Sequence, residues 1–513
     1  MQRVPDPERA LIAGVAELAD APDLGSGILR CVGSSPIART GNRWPLRYLL
    51  LFPYPKNQNR FYFRAIGQTD SFFSYFCGTM PIEEIYSRFV ECEGVTVDSR
   101  RCSTGLMFFA LKGERFDGNM FVREALEQGC RYAVTDDSSL SDPSDKRIIL
   151  VDDVLTALQR LAAFHRRRLG TVVIGITGTN GKTTTKELTN AVMSTTYNVL
   201  CTQGNLNNSI GVPLTVLGLK PEHEYAVIEM GASHPGDINE LVEVCQPDYG
   251  LVTNVGKAHL SGFGSFEGVK RTKGELYDWL REHGGTAFVN RDNEHLQQMS
   301  SGLPLIEYGK PWQDGLLVEG EVIECNPFVR FRWRCRGGEW HEVQTRLIGA
   351  YNVDNALAAI TVGLRFGVPE ERASEAVAGY VPQNNRSQLT ETGHNCLIVD
   401  AYNANPTSMA AAIENFSMIQ ASDKMLILGD MRELGDVSRQ EHARIVEMLK
   451  EKGFSSVWLV GEEFAAVAEG CGYRLFTDAE AVNSALMSEP VSGKTILVKG
   501  SNSIGLTKTL KYL

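Results

Sequence analysis

Between Thr177 and Lys186 the chain reads TGTNGKTTTK, directly after the apolar run Val172 to Ile176. A strand, a glycine-punctuated turn and a helix start make a cradle for nucleotide phosphates. Gly178 and Gly181 let the backbone approach an anion with no side chain between, and the amides opening the helix add partial positive charge. Thr179, Asn180 and Thr184 complete the loop. Lys182 is expected to reach the β- and γ-phosphates, and Thr183 to offer its hydroxyl to Mg²⁺. ATP and Mg²⁺ are therefore the expected cofactors. The loop departs from the generic G-x-x-x-x-G-K-[ST] pattern, because Ile176 stands where the first glycine belongs. Gly-Lys-Thr behind a buried-looking strand is still hard to read as an ordinary surface turn.

Two further residues stand where such chemistry would need them. Glu229 stands at the end of the strand-like stretch YAVIEMGA, where an acid either binds a cation or faces solvent. His259, in NVGKAHL, follows another apolar run and lies near a strand's carboxyl edge, where open parallel sheets collect their ligands. A lone histidine is more often packed or solvent-facing than a ligand. The succession of loop, acid and histidine on consecutive strands favours one shared site.

Positioning these groups requires an ordered scaffold. A chain of 513 residues is long enough for about three domains. Alternating strand and helix patterns predict an α/β fold. A small α/β domain is expected over 80–170, a central parallel-sheet P-loop ATPase domain over 171–382, and a Rossmann-like C-terminal domain over 383–513. Residues 1–79 keep no helical or strand period for long. Ala16 to Gly41 reads like a conceptual translation of a transfer-RNA gene, so 1–79 is expected to be a non-native or disordered extension, with translation starting at Met80. Acidic residues and the lack of an apolar core there speak against a targeting peptide.

Composition narrows the partners. Lys and Arg number 51 against 62 Asp and Glu, a net charge of −11, which argues against a nucleic-acid surface. No apolar run approaches the roughly 20 residues of a membrane span. Eleven cysteines without a C-x-x-C pair fit neither a zinc ribbon nor a disulfide framework. Free thiols in a reducing compartment are the simpler reading, and a cytoplasmic location is expected.

Ten blocks, in order, resemble the Mur ligase family. They are DSR with GLMFFALKGERFDG, TGTNGKTTTK, GNLNNSIGVP, EMGASHPGDI, NVGKAHL, SFEGVKRTKGEL, NVDNALAA, DAYNANPTSM, LGDMRELG and LVKGS, spread from Met80 to the end. The resemblance implies an ATP-dependent ligase that activates a carboxylate as an acyl phosphate and couples it to an amine. GERFDG and YNANP favour the branch that adds D-Ala-D-Ala to UDP-N-acetylmuramoyl-tripeptide, acting as a monomer. A single-amino-acid sister, a folylpolyglutamate synthase and a non-catalytic ATP sensor are the alternatives. By the family pattern Lys182, His259 and Lys273 are catalytic. Thr183, Glu229, His259 and a carbamylated Lys273 hold the metals. Lys273 read by itself is equally a surface lysine beside Lys270 and Arg271. Asn352 and Asn355, one helical turn apart, suit an adenine edge, or Asn352 caps the helix. Arg386 and Asp400 match positions that contact the nucleotide from the third domain. Asp98, Ser99 and Arg100, with Lys112 to Gly118, are candidates for the uridine diphosphate, though Arg100 or Arg115 could equally be an ordinary exposed charge. Asn205, Asn207, Asn208 and Ser209 would face the sugar-peptide, or form a capped turn. Asn403 and Asn405 would meet the dipeptide, or form a turn before Pro406.

Overall fold

The computed structural model describes residues 49–54, 57–65 and 80–513, apart from 312–313, 383–387 and 422. The chain divides into two units, 1–81 and 82–513. In the first, Leu49–Tyr54 and Asn57–Ala65 pair antiparallel. The rest of the expected extension lies outside the described residues, as does Arg386.

The second unit contains three principal sheets. Four parallel strands, Gly94–Thr96, Leu106–Phe109, Tyr132–Thr135 and Ile148–Leu150, form the N-terminal lobe. Helix Val154–Arg168, capped by Asp153, follows them. A nine-stranded sheet, reaching from Val172 to Ile348, forms the central lobe. Its middle strand, Val172–Thr177, lies between Tyr225–Glu229 and Tyr249–Val252, both parallel to it. Layers cover both faces of that strand, which is why it reads VVIGIT rather than alternating. On one side helices Lys182–Met193 and Asn352–Arg365 bury Leu188, Val192, Leu357 and Ile360, each worth about 1.5–3 kcal/mol of hydrophobic transfer. On the other, helix Phe266–His283 packs Leu276 against Gly175, which has no room for a Cβ.

The sheet is parallel across seven strands and then reverses. Phe328–Cys335 and His341–Ile348 add antiparallel to Val318–Cys325, an extension not anticipated from sequence. Phe331 and Trp333 point into the core while Arg332 and Arg334 flank Trp340 outside. The C-terminal sheet runs in the order Gln388–Glu391, Cys396–Asp400, Thr495–Lys499, Lys424–Gly429, Val457–Val460, Arg474–Phe476. Only the first of these is antiparallel. The α/β class and the three-lobed arrangement are as expected. No helix among the described residues is long and apolar enough to cross a membrane.

Candidate active site

The phosphate loop sits between Val172–Thr177 and helix Lys182–Met193. Its glycines are demanded by their surroundings. Gly178 has φ +143, and a Cβ there would lie 2.0 Å from Thr253 Oγ1. Gly181 has φ +78, and its Cβ would meet Asn355 Oδ1 at 2.6 Å. Lys182 folds back, its Nζ donating to the carbonyls of Gly178 at 2.9 Å and Thr179 at 3.1 Å. Thr253 Oγ1 donates to the Asn180 carbonyl at 2.6 Å, tying the loop to the neighbouring strand end. Ile176 is fully buried in the strand, so the missing first glycine falls where the backbone is still extended.

Glu229 pairs in register with Ile176 and so comes to the same sheet edge as the loop. Its Oε1 accepts from Thr183 Oγ1 at 3.1 Å and from Asn207 Nδ2 at 2.8 Å. Its Oε2 is buried without a hydrogen-bond partner. A buried carboxylate oxygen left unpaired is costly, and beside a hydroxyl it offers oxygen donors of the kind a hard divalent cation takes. Among the described residues no three His, Cys, Asp or Glu side chains converge as a metal cage. Such a cation would therefore draw much of its shell from phosphate and water, as Mg²⁺ commonly does. Thr183, Glu229 and their surroundings fit that role.

His259 lines the same cleft at the start of the short helix Leu260–Phe263, with φ +49. Its Nδ1 is paired with Glu433 of the C-terminal lobe. Burial pulls the imidazole below its ordinary pKa, Glu433 opposes this, and Lys182 and Lys273 reinforce it. Lys273 is 2% exposed on helix Phe266–His283, its Nζ 5.6 Å from the centre of the Phe263 ring. Desolvation, helped by Lys182, holds its ammonium well below the usual lysine value. It is not a surface lysine.

Lys182, Thr183, Glu229 and His259 border a cleft of about 1080 Å³ shared by the central and C-terminal lobes, whereas the buried Lys273 is not among its lining residues. Asp400, Asn403 and Asn405 line it from the C-terminal side. Asn405 caps helix Pro406–Met418 through Ser408 N at 2.9 Å, and its Nδ2 donates to Asn180 Oδ1 at 2.8 Å. The capped turn and the approach to the site are thus both present. Sequence reasoning missed Lys499, 1% exposed, whose Nζ bonds Asp400 at 2.6 Å and the Asn403 carbonyl at 3.3 Å. It also missed the polar far end of the cleft, where Asn290, Asp292, Lys310 and Asp354 stand. The signals were polar residues at or just after the ends of the strands Thr286–Asn290 and Leu305–Gly309, and Asp354 within NVDNALAA.

Asn352 and Asn355 reach the cleft, but their amides have internal partners. Asn352 Nδ2 donates to the Ile348 carbonyl at 2.8 Å, Asn355 Nδ2 to Asn352 Oδ1 at 2.9 Å, and Thr185 Oγ1 to Asn355 Oδ1 at 3.0 Å. Asn352 is the first helical residue rather than the cap; Tyr351 flanks the helix with no side-chain cap bond. Asn207 and Asn208 line the cleft with Ser209, whereas Asn205 does not. Asp98, Ser99 and Arg100 also stand outside it. Asp98 caps the turn Ser99–Arg101 and grips Arg100 Nε at 2.9 Å and Nη2 at 2.8 Å. Those bonds hold its carboxyl down to about 2.

The chain's sequence matches three family descriptions. Residues 91–166 match the Mur ligase family catalytic domain, 176–363 the Mur ligase middle domain, and 385–502 the Mur ligase glutamate ligase domain. A UDP-N-acetylmuramoyl-tripeptide–D-alanyl-D-alanine ligase of Bacillus subtilis is 36% identical over 429 residues, 82% of this chain and 93% of that protein. The ligase of the same name from Escherichia coli is 34% identical, over 84% and 95%. Among solved structures, MurF of Acinetobacter baumannii is similar with TM-score 0.74 and 29% identity, covering 84% of this chain and 97% of that one. MurF ligase of Thermotoga maritima in complex with ADP has TM-score 0.73 and 26% identity, covering 83% and 97%.

Proposed function

The chain belongs to the Mur ligase family, and from that premise we propose that it joins D-Ala-D-Ala to UDP-N-acetylmuramoyl-tripeptide at the expense of ATP, in cytoplasmic peptidoglycan precursor synthesis. The observation that carries the reading is the Thr183–Glu229 pair beside the phosphate loop, with its unpartnered carboxylate oxygen facing a cleft that two lobes share.

A carboxylate is a poor electrophile. Its oxygen attacks the γ-phosphorus, ADP leaves, and an acyl phosphate results. The dipeptide amine, its ammonium proton given up to solvent, then adds to the acyl carbon, and the tetrahedral intermediate expels inorganic phosphate, which takes up the second N–H proton, to leave an amide. Both steps gather negative charge on phosphoryl and carboxyl oxygens, so preplaced donors are the main resource. Lys182 and the amides of Gly178 to Thr184 bind the phosphates. Thr183 and Glu229 would hold Mg²⁺, with His259 serving a second cation position. Bound there, the metal supplies charge neutralisation and fixes the phosphates in line.

Burial favours the base form of the Lys273 amine. Its depressed pKa keeps the nitrogen lone pair available, and that lone pair adds CO₂ to give a carbamate and release one proton. The cation of the side chain then becomes an anion suited to a metal site. We read Asn352 and Asn355 as a buttress under Gly181 and Thr185 in addition to facing the nucleotide. Asp400, held by Lys499, and Arg386 are assigned to the nucleotide from the C-terminal lobe. Asp98, Ser99 and Arg100 are assigned to the uridine diphosphate, Asn205, Asn207 and Asn208 to the sugar-peptide, and Asn403 to the dipeptide.

Phosphate release tests the reading. It should require ATP, UDP-tripeptide and D-Ala-D-Ala together, with the pentapeptide product seen by mass spectrometry. Release with a single amino acid, or with folate and glutamate, would transfer the enzyme to a neighbouring branch. Nucleotide binding without turnover would make it a sensor.

A further inference from the structure

His259 and Glu433 meet across the two lobes that share the cleft. His259 belongs to the loop after strand Tyr249–Val252; Glu433 follows strand Lys424–Gly429. The meeting is fastened at several points. The amide of Ser261 donates to the Glu433 carbonyl at 3.2 Å, and its hydroxyl reaches the same oxygen at 3.3 Å. Two residues before His259, Lys257 Nζ bonds the buried Glu441 at 2.6 Å. His259 and Glu433 have φ of +49 and +64, a backbone region that residues with a Cβ seldom adopt. Two such residues in contact are held by what surrounds them.

Resting on the reading of His259 as a cation ligand, we infer that Glu433 is its positioning residue and that the second cation site is assembled across the lobes. A ligating histidine needs one ring nitrogen bare and the other tied down, and a carboxylate on the second nitrogen is the usual tie. Glu433 stands in ion-pair contact with Nδ1; a proton held on that side would leave the Nε2 lone pair for a cation. The carboxylate arrives from the opposite lobe, so cation binding at this position and approach of the C-terminal lobe favour one another. The coupling is reciprocal: whatever tightens one tightens the other. Glu229 and Thr183 both belong to the central lobe, so the first cation position does not depend on the C-terminal lobe in this way.

The test counts Mn²⁺ by electron paramagnetic resonance on the full chain, with an unhydrolysable ATP analogue and UDP-tripeptide present. The native protein should bind two equivalents. Glu433→Ala should weaken the second by about tenfold or more and leave the first unchanged. Glu433→Gln, whose carbonyl still accepts from Nδ1, should recover most of the loss. In small-angle scattering, saturating Mn²⁺ should contract the native protein and leave Glu433→Ala unmoved, with matched melting temperatures showing that both are folded. The inference is overturned if Glu433→Ala binds both equivalents normally, if Glu433→Gln is as impaired as Glu433→Ala, or if both proteins contract alike. Should the native protein take up only one Mn²⁺, the reading of His259 itself fails, and this inference with it.

Discussion

The phosphate-loop end of the cleft and the turn at Asp98–Arg101 are both candidate binding regions, and they are built in opposite ways. Around the loop, Thr183, Glu229 and Lys273 are each no more than 3% exposed, delivered by different strands and helices to one sheet edge. At the turn, Asp98 and Arg100 are near neighbours in sequence that satisfy each other, and the Arg100 side chain is 87% exposed. Chemistry needs groups desolvated and fixed before substrate arrives, whereas gripping one end of a long substrate can be left to side chains that reorganise around it. Burial depresses the Lys273 ammonium in the first region, which is what the proposed carbamylation needs. In the second, water screens every charge.

The largest expected effect breaks the first region. Lys182→Ala should lower turnover by about 10³-fold or more while the fold survives. Single-turnover phosphate release checks it, and near-native turnover would remove the basis for contrasting the regions. Glu229→Gln should follow at about 10²–10³-fold, with a steeper Mg²⁺ requirement in the same assay.

Lys273→Met separates function from stability. Turnover should fall by about 10²-fold, yet the protein should melt at a higher temperature near neutral pH. The sign follows from proton binding: the folded chain keeps this lysine neutral over a range in which the unfolded chain still binds the proton. The native protein therefore gains stability as pH rises toward 10.5 and loses it as pH falls through the depressed value. Calorimetry in CO₂-free buffer should show the gap between variant and native protein narrowing as pH rises. A gap that stays constant would mean that the amine is charged when buried.

Smaller effects sharpen the other side. Arg100→Ala should raise the KM for UDP-tripeptide by about tenfold, the loss of one charged hydrogen-bonding partner, with little change in kcat. A fall in kcat matching that of Lys182→Ala would place Arg100 in the chemistry instead. Asn405→Asp keeps a good helix cap but removes the donor to Asn180, and should cost roughly 1 kcal/mol, or about fivefold in turnover. Circular dichroism should show the helix intact.

How much was legible before the structure follows from the same contrast. The loop, Glu229 and His259 could be read because each follows an apolar strand, and parallel strands deliver their carboxyl ends to one edge. Helix Val154–Arg168 buries Val154, Leu158, Leu161 and His165, a helical spacing visible in the sequence. The antiparallel strands near Phe328 were missed although FVRFRWRC alternates as a half-buried strand should. Those strands break the helix–strand alternation that runs through the rest of the lobe. Lys499 and Glu433 could not have been found by spacing. Lys499 meets Asp400 from 99 residues away, and Glu433 meets His259 only because two lobes touch. No local pattern encodes either contact. For Asn352, hydrogen-bonding capacity was legible but its direction was not: the amides that suit a base edge are turned toward the loop's supports.

One asparagine joins two tasks. At 405 the same amide must accept from a helix amide with its oxygen while handing a proton to Asn180 with its nitrogen. Serine is too short to do both, aspartate would set oxygen against oxygen, and glutamine places its amide one carbon too far out. Ordinary helix starts tolerate several residue types. This one is held to more, because the residue that caps a helix of the C-terminal lobe also bonds the phosphate loop of the central lobe.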